Sequence, residues 1–372
     1  MQIAIIDDGV YEGYYPIPAV INHLQVRIDD ALTQEIITEP YASHGTKCAA
    51  IIYNLCKGCD VISIKILDKK GRGFVDQLII ALMWCYEQNV KLIQMSLGSA
   101  NYHDYYKINP VIFKLISKDI LIVAAYHNMN IPSYPAHLPG VFGVRHDRYQ
   151  LLPDGAFLLD YESGLREENS LVAHYSKQLK DNSTITQYTE GANSFAASVI
   201  TAQIIQYLKY NPYLSFHDIL NKLKYSAKKV IYPNSFCQFN HLNDYKNNVP
   251  VIGINRDYLN SFITIYNNFK NESYSVEGFS QIKHKNAHII PLSLYISTDR
   301  ISKGFLFLIC KIYNPSVILI EFSNMIAQNN MDWELMDIYI ELKEKYIMST
   351  ECSINRYNTI SDVYESILAY YS

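Results

Sequence analysis

Residues 1–232 predict an α/β domain, a parallel sheet flanked by helices, and residues 249–372 predict a smaller α/β domain after it. Three observations carry this expectation. Short aliphatic, β-branched runs recur at 3–6, 61–67, 91–95, 120–125 and 141–144, each too short for a helix. Longer stretches with helical spacing of apolar residues stand between them, the pattern of strand–helix–strand units. Several runs stop at polar or glycine-bearing turns, where open parallel sheets hold their functional groups.

The 372 residues suffice for two domains and a large buried core. Hydrophobic residues make up 49% and the net charge is −4, with no clustered basic face, so a nucleic-acid partner is not expected. No segment is long and apolar enough to cross a bilayer, so no membrane partner is expected either. Cys48, Cys56, Cys59, Cys85, Cys237, Cys310 and Cys352 are odd in number and scattered, which fits reduced thiols in the cytosol better than a disulfide framework. Met1-Gln2 passes directly into an apolar run without a basic start, which is not a secretion signal. A cytoplasmic location follows as the expectation.

The run 3–6 reads as a buried strand ending at Asp7-Asp8-Gly9. An acid there reads either as a functional carboxylate or as a turn acid beside a turn glycine. A polar loop follows. Ser43-His44-Gly45-Thr46 then opens a helix rich in small residues, and its histidine reads as structural or catalytic. Cys56-Lys57-Gly58-Cys59 invites a zinc or redox reading, but no second pair completes a zinc site, so no metal is expected. Residues 74–88 have helical spacing. The strand 91–95 leads to Ser96-Leu97-Gly98, where Gly98 reads by itself as the end of a strand. A helix is expected over 108–118 and a strand over 120–125, followed by Tyr126-His127-Asn128. Residues 171–174 suggest a short strand ending at His174, a second candidate base that opens no helix.

Gly191-Ala192-Asn193-Ser194 reads as a tight turn into a buried helix over 195–208. A hydroxyl there meets unpaired N–H groups and the positive end of the helix dipole, which suits a nucleophile whose attack creates an oxyanion. The same pattern also describes a plain N-cap. An amphipathic helix is expected over 215–228, and residues 233–248 read as a linker. Beyond it, strands are expected over 249–254, 289–295 and 317–322, and helices over 257–269, 333–346 and 360–370. Gly253 stands alone, without a phosphate-binding loop, and no cofactor is expected.

Taken together, Asp7-x-Gly9 after a buried strand, His44-Gly45-Thr46 opening one helix and Gly191-x-x-Ser194-x-Ala196 opening another resemble the subtilisin-like serine peptidases, the subtilases. The resemblance covers about the first 230 residues. It implies a subtilisin-like sheet and a catalytic triad of Asp7, His44 and Ser194. It also implies an oxyanion donor at Asn128, with Asn130 as the fallback, and substrate backbone pairing at Ser96, Leu97 and Gly98. Tyr126-His127 departs from the family's glycine at that place. Structural calcium is common in the family, but no contiguous carboxylate loop supports it here.

Secreted subtilases begin with a propeptide, whereas here the catalytic strand starts at residue 3, so unaided folding inside the cell is expected. Compact cytosolic subtilases resemble maturation peptidases that remove the leader of ribosomally made, modified peptides. A precursor peptide is then the expected substrate and partner. Two alternatives stay open: a non-catalytic peptide-binding scaffold, and a ligase or cyclase in which an amine replaces water. The C-terminal domain has no recognisable site; gripping a leader and self-association are roles open to it.

Overall fold

The computed structural model describes residues 1–27, 29, 31–37, 41–128, 132–160, 170–176, 179–180, 186–187, 192–229, 249–255, 259–281, 288–294, 301–322, 335–342, 346–350 and 353–371. The chain forms two compact units, Met1–Ser235 and Phe236–Ser372. The linker expected over 233–248, Gly191, Asn130, Cys237 and Cys352 fall outside the described residues.

In the first unit the elements run β1 (Gln2–Asp7), β2 (Ala19–Val26), β3 (Leu32–Gln34), α1 (His44–Leu55), β4 (Asp60–Lys65), α2 (Val75–Glu87) and β5 (Leu92–Met95). A 3-10 turn (Tyr102–Asp104) leads into α3 (Tyr105–Ser117), then β6 (Leu121–Ala125), β7 (Phe142–His146), β8 (Phe157–Leu159) and β9 (Ser170–Ala173). The short strands β10 (Leu179–Lys180) and β11 (Thr186–Gln187) precede α4 (Asn193–Tyr210) and α5 (Phe216–Ser226).

The main sheet has the order β3-β2-β4-β1-β5-β6-β7-β9-β8. It is parallel from β2 to β9, with antiparallel edges at β3 and β8. The strand β1 is central and buried on both faces, which is why residues 3–6 are continuously apolar rather than alternating. Ile3 and Ile5 join a core with α1 and α4. On the opposite face α2 and α3 pack together, and α2 also contacts β1. Small residues let the helices on the first face approach closely: Ala49, Ala50, Ala196 and Ala197 are all fully buried where α1 meets α4.

The order places a switch point beside β1. The chain leaves β1 for β2 and β4 on one side, then crosses to β5 on the other. Ligands of open α/β sheets lie at the carboxyl ends of strands next to such a switch. The carboxyl ends of β1, β5 and β6 carry Asp7, the 96–98 segment and the 126–128 segment.

The second unit runs β12 (Val251–Asn255), α6 (Leu259–Asn271), β13 (Val276–Ser280), β14 (Ile289–Pro291), α7 (Lys303–Tyr313), β15 (Val317–Phe322), β16 (Ile338–Leu342), β17 (Tyr346–Thr350), β18 (Ile354–Tyr357) and α8 (Ile360–Tyr371). Its sheet has the order β14-β13-β15-β12-β16-β17-β18, parallel up to β16 and antiparallel beyond it. It has its own core of Phe262, Ile265, Leu319, Ile338 and Ile367, among others.

Two expectations are corrected, and one unassigned segment forms a helix. Residues 19–26, read as polar loop, are β2; it carries Asn22, His23 and Gln25 but is held by parallel pairing to β4. Within the helix expected over 333–346, residues Ile338–Leu342 are instead β16, whose Ile338 and Ile340 are buried beside β12, and β17 begins at Tyr346. Residues 303–313, left unassigned by their sequence, form α7 with Ser302 as its side-chain cap.

Candidate active site

Asp7 is the last residue of β1 and 1% exposed. His44 is the first residue of α1, capped by Ser43, whose hydroxyl accepts from the Thr46 N–H at 3.0 Å. The two side chains meet: His44 Nδ1 lies 2.9 Å from Asp7 Oδ2 and 3.1 Å from Oδ1. With Nδ1–H donating, Nε2 is the basic nitrogen. Gly45 permits this contact. A Cβ there would stand 2.5 Å from the Gly9 carbonyl and 3.1 Å from Asp7 Cβ, so only glycine lets the helix start sit so close to the β1 turn.

Asp8 has a part that the sequence left unassigned. Its Oδ1 accepts from the Gly45 N–H at 2.9 Å, and its Oδ2 from the His44 N–H at 3.1 Å. The Tyr41 hydroxyl donates to the same Oδ2 at 3.2 Å. Asp8 thus closes the positive end of α1, whose own first turn holds no acid. Burial, then the neighbouring Asp7 charge, raise the Asp8 pKa. Burial works to lower the His44 pKa, but the Asp7 charge and hydrogen bond, with Asp8 behind them, outweigh it and raise the value. A second acid next to Asp7 was the available signal; its partners 36 and 37 residues away were not.

Ser194 is the second residue of α4 and is buried. The cap position of that helix is Ala192, with no side-chain cap bond, so Ser194 does not serve as the N-cap that its sequence also allowed. The Phe195 ring stacks on His44 with centroids 5.7 Å apart, which brings the start of α4 to the imidazole. Cys48, one turn after His44, approaches the Ser194 carbonyl at 4.0 Å and the Ser96 hydroxyl at 3.3 Å. Burial pushes its thiol up to about 12, so it stays protonated.

Ser194 lines a cleft of about 160 Å³ together with Ser96, Leu97, Gly98, Ala125, Tyr126, His127, Asn128 and Ser133. Asn128 and the 96–98 segment therefore share one cavity with the serine. Asn128 Oδ1 accepts from the Asn193 N–H at 3.4 Å, and its carbonyl accepts from Arg148. The 96–98 segment extends β5 beyond its last residue and is held by a two-way backbone bridge between Ser99 and Tyr134, at 2.9 and 2.8 Å. A Cβ on Gly98 would meet the Tyr134 carbonyl at 2.8 Å, so the glycine is needed for this approach. The Ser96 hydroxyl accepts from Gln94 Nε2 at 2.9 Å and contacts Cys48, which ties it to the interior.

His174, the second candidate base, stacks on His146 at 5.5 Å and is not among the cleft's lining residues. Cys56 and Cys59 are free and buried. Among the described residues, the ligand atoms close enough to share an ion are those of Asp7, His44 and Cys48, within 4.8 Å of one another. That set does not fit calcium, which takes oxygen ligands alone.

The chain is 28% identical over 138 residues to the "Intracellular serine protease" of Paenibacillus polymyxa, covering 34% of this chain and 41% of that protein. It is 21% identical over 286 residues to "Serine protease AprX" of Bacillus subtilis, covering 62% and 61%. The chain spans less than half the length of the first relatives it matches. Among solved structures, "Sphericase" aligns with a TM-score of 0.49 at 21% identity, covering 62% of this chain and 83% of that one. The Subtilase family, peptidase S8, matches residues 1–248, two thirds of the sequence and the whole of the part that builds the cleft. With that match, the chain belongs to the subtilase family.

Proposed function

We propose that the protein is a serine endopeptidase that cleaves peptide bonds through an acyl-enzyme. The observation that carries this reading is the 2.9 Å Asp7–His44 contact, with Phe195 stacked on the imidazole and its neighbour Ser194 lining the cleft. Asp7 holds the imidazole in one tautomer, and His44 Nε2 takes the Ser194 proton as Oγ attacks the substrate carbonyl. The developing oxyanion is met by the Asn128 amide and the Ser194 N–H at the positive end of α4. His44 then hands its proton to the leaving amine, and water releases the acyl group. Residues 96–98 offer backbone for pairing with an extended peptide, so the substrate is read as a strand.

The narrower reading is a cytoplasmic peptidase that removes the leader of a ribosomally made, modified peptide. Its supports are the free cysteines and a relative named as an intracellular protease. An unrestrained digestive activity inside a cell would be harmful, which favours one narrow substrate.

Fluorophosphonate labelling tests the first reading. The wild-type protein becomes labelled and Ser194→Ala does not; labelling that survives in Ser194→Ala removes Ser194 as nucleophile, and an unlabelled wild type favours the non-catalytic scaffold. For the second reading, the protein is incubated with the precursor peptide encoded nearby and the products are weighed. Separate leader and core support it, a joined product marks a ligase, and an unchanged precursor counts against it.

A further inference from the structure

Asn193 uses its whole side chain on groups from two other parts of the chain. It is 2% exposed. Its Nδ2 donates to the Tyr126 carbonyl at 2.9 Å and to the His127 carbonyl at 3.2 Å, and its Oδ1 accepts from the His146 N–H at 2.8 Å. Its backbone N–H reaches Asn128 Oδ1 at 3.4 Å. The residue before Ser194 therefore fixes both peptide units that lead into Asn128, and fixes them to the end of β7. With Oδ1 of Asn128 turned to α4, its Nδ2 is the group left for an oxyanion. Only an amide supplies two donors and an acceptor from one short side chain. A carboxylate would oppose the two carbonyls, and a hydroxyl offers one donor.

We propose that Asn193 is a positioning residue: it sets the Asn128 donor against Ser194 and so tunes oxyanion stabilisation without touching the substrate. This rests on the reading of Ser194 and Asn128 given above. The test is the rate of phosphonylation by an alkyl fluorophosphonate, in which a P–O bond to Ser194 forms as fluoride leaves, resolved into its binding and bond-forming constants. Asn193→Ala is expected to slow bond formation by roughly 10–100-fold with binding nearly unchanged, the scale of a small misplacement of catalytic groups. In an Asn128→Ala background the same change is expected to cost almost nothing further, since both act on one donor. Asn193→Ser, which keeps one hydrogen bond, supplies the measurement if the alanine variant does not fold. An unchanged rate in Asn193→Ala, or losses that multiply in the double variant, overturns the proposal. Asn128→Ala without effect, or labelling of Ser194→Ala, instead overturns the reading beneath it.

Around β1 the first sheet runs β2-β4-β1-β5; around β12 the second runs β13-β15-β12-β16, visited in the same chain order. Asp7 pairs with Lys65 as the last register pair of β1 with β4, while pairing with β5 stops one residue earlier at Ile6. Asn255 pairs with Phe322 as the last pair of β12 with β15, and pairing with β16 stops one residue earlier at Ile254. The helix before each inner strand starts alike. Ser43-His44-Gly45 opens α1 and Ser302-Lys303-Gly304 opens α7, with each serine capping the third helical N–H.

We infer that the second unit repeats the nucleus of the catalytic fold, with Asn255 at the acid's position and Lys303 at the imidazole's, and is catalytically silent. Restoring the pair tests it. Lys303→His is compared with Asn255→Asp/Lys303→His by NMR titration of the new imidazole. An opposite charge within contact range raises a pKa by about 1–3 units, so the double variant is expected to titrate at least about one unit higher. Equal values overturn the inference. If the buried aspartate unfolds the chain, Asn255→His/Lys303→His replaces it. Nickel is then expected to raise its melting temperature above that of either single variant, and no rise overturns the inference.

Discussion

At the scale of single residues, the role proposed for His44 as base requires its neutral form, since only that form would accept the Ser194 proton. The raised His44 pKa would therefore move the acid limb of the proposed activity upward. The pH profile of fluorophosphonate labelling is expected to rise with a midpoint above the ordinary histidine value of about 6.5. Asp8→Asn removes one of the charges that raise it, so the midpoint is expected to fall toward lower pH. An unmoved midpoint would mean that Asp8 serves α1 only as a cap. Asn128→Ala is expected to lower turnover by about 10²–10³, the cost of one oxyanion donor, which steady-state kinetics checks once a substrate is in hand.

At the scale of elements, the site depends on how closely α1 and α4 approach the sheet. Gly45 is the tightest point, because its neighbours at 2.5 and 3.1 Å are the backbone of Gly9 and Cβ of Asp7 itself. Gly45→Ala has no flexible side chain to displace. It is expected to push the helix start outward, lengthen the Asp7–His44 contact and cost about 1–3 kcal/mol, read as a lower melting temperature with a parallel loss of labelling. Unchanged labelling with a lowered melting temperature would show that the dyad survives the shift. The cleft's other wall follows the same logic, since Gly98 lets the Ser99–Tyr134 bridge form beside the 96–98 segment.

At the scale of the whole molecule, each unit closes its own core, one around α1 and α4 and one around Phe262 and Leu319. Cavity-forming changes are therefore expected to act locally. Ile204→Ala, at about 2–5 kcal/mol, and Phe262→Ala, at about 3–5 kcal/mol, are expected to lower different calorimetric transitions. One common transition lowered by both would show that the two units unfold together.

Elements with strong local signals are legible from the residues alone. The run ending in Asp7, the small-residue helix opened by His44 and the turn into the Ser194 helix are each legible from a few adjacent residues, because strand period, helix period and glycine need only near neighbours. The sequence did not determine β2, whose polar residues are held by pairing to β4, or β16, where burial beside β12 overrides a helical pattern. Nor did it show what Asp8 and Asn193 do. Asp8 joins two neighbours on α1, and Asn193 joins carbonyls from 126 and 127 to an N–H from 146. Those bonds exist only after the crossovers have brought the carboxyl ends of β1, β6 and β7 together with the starts of α1 and α4. A hydrogen bond constrains distance in space, and sequence carries that distance only where the chain is short between the partners.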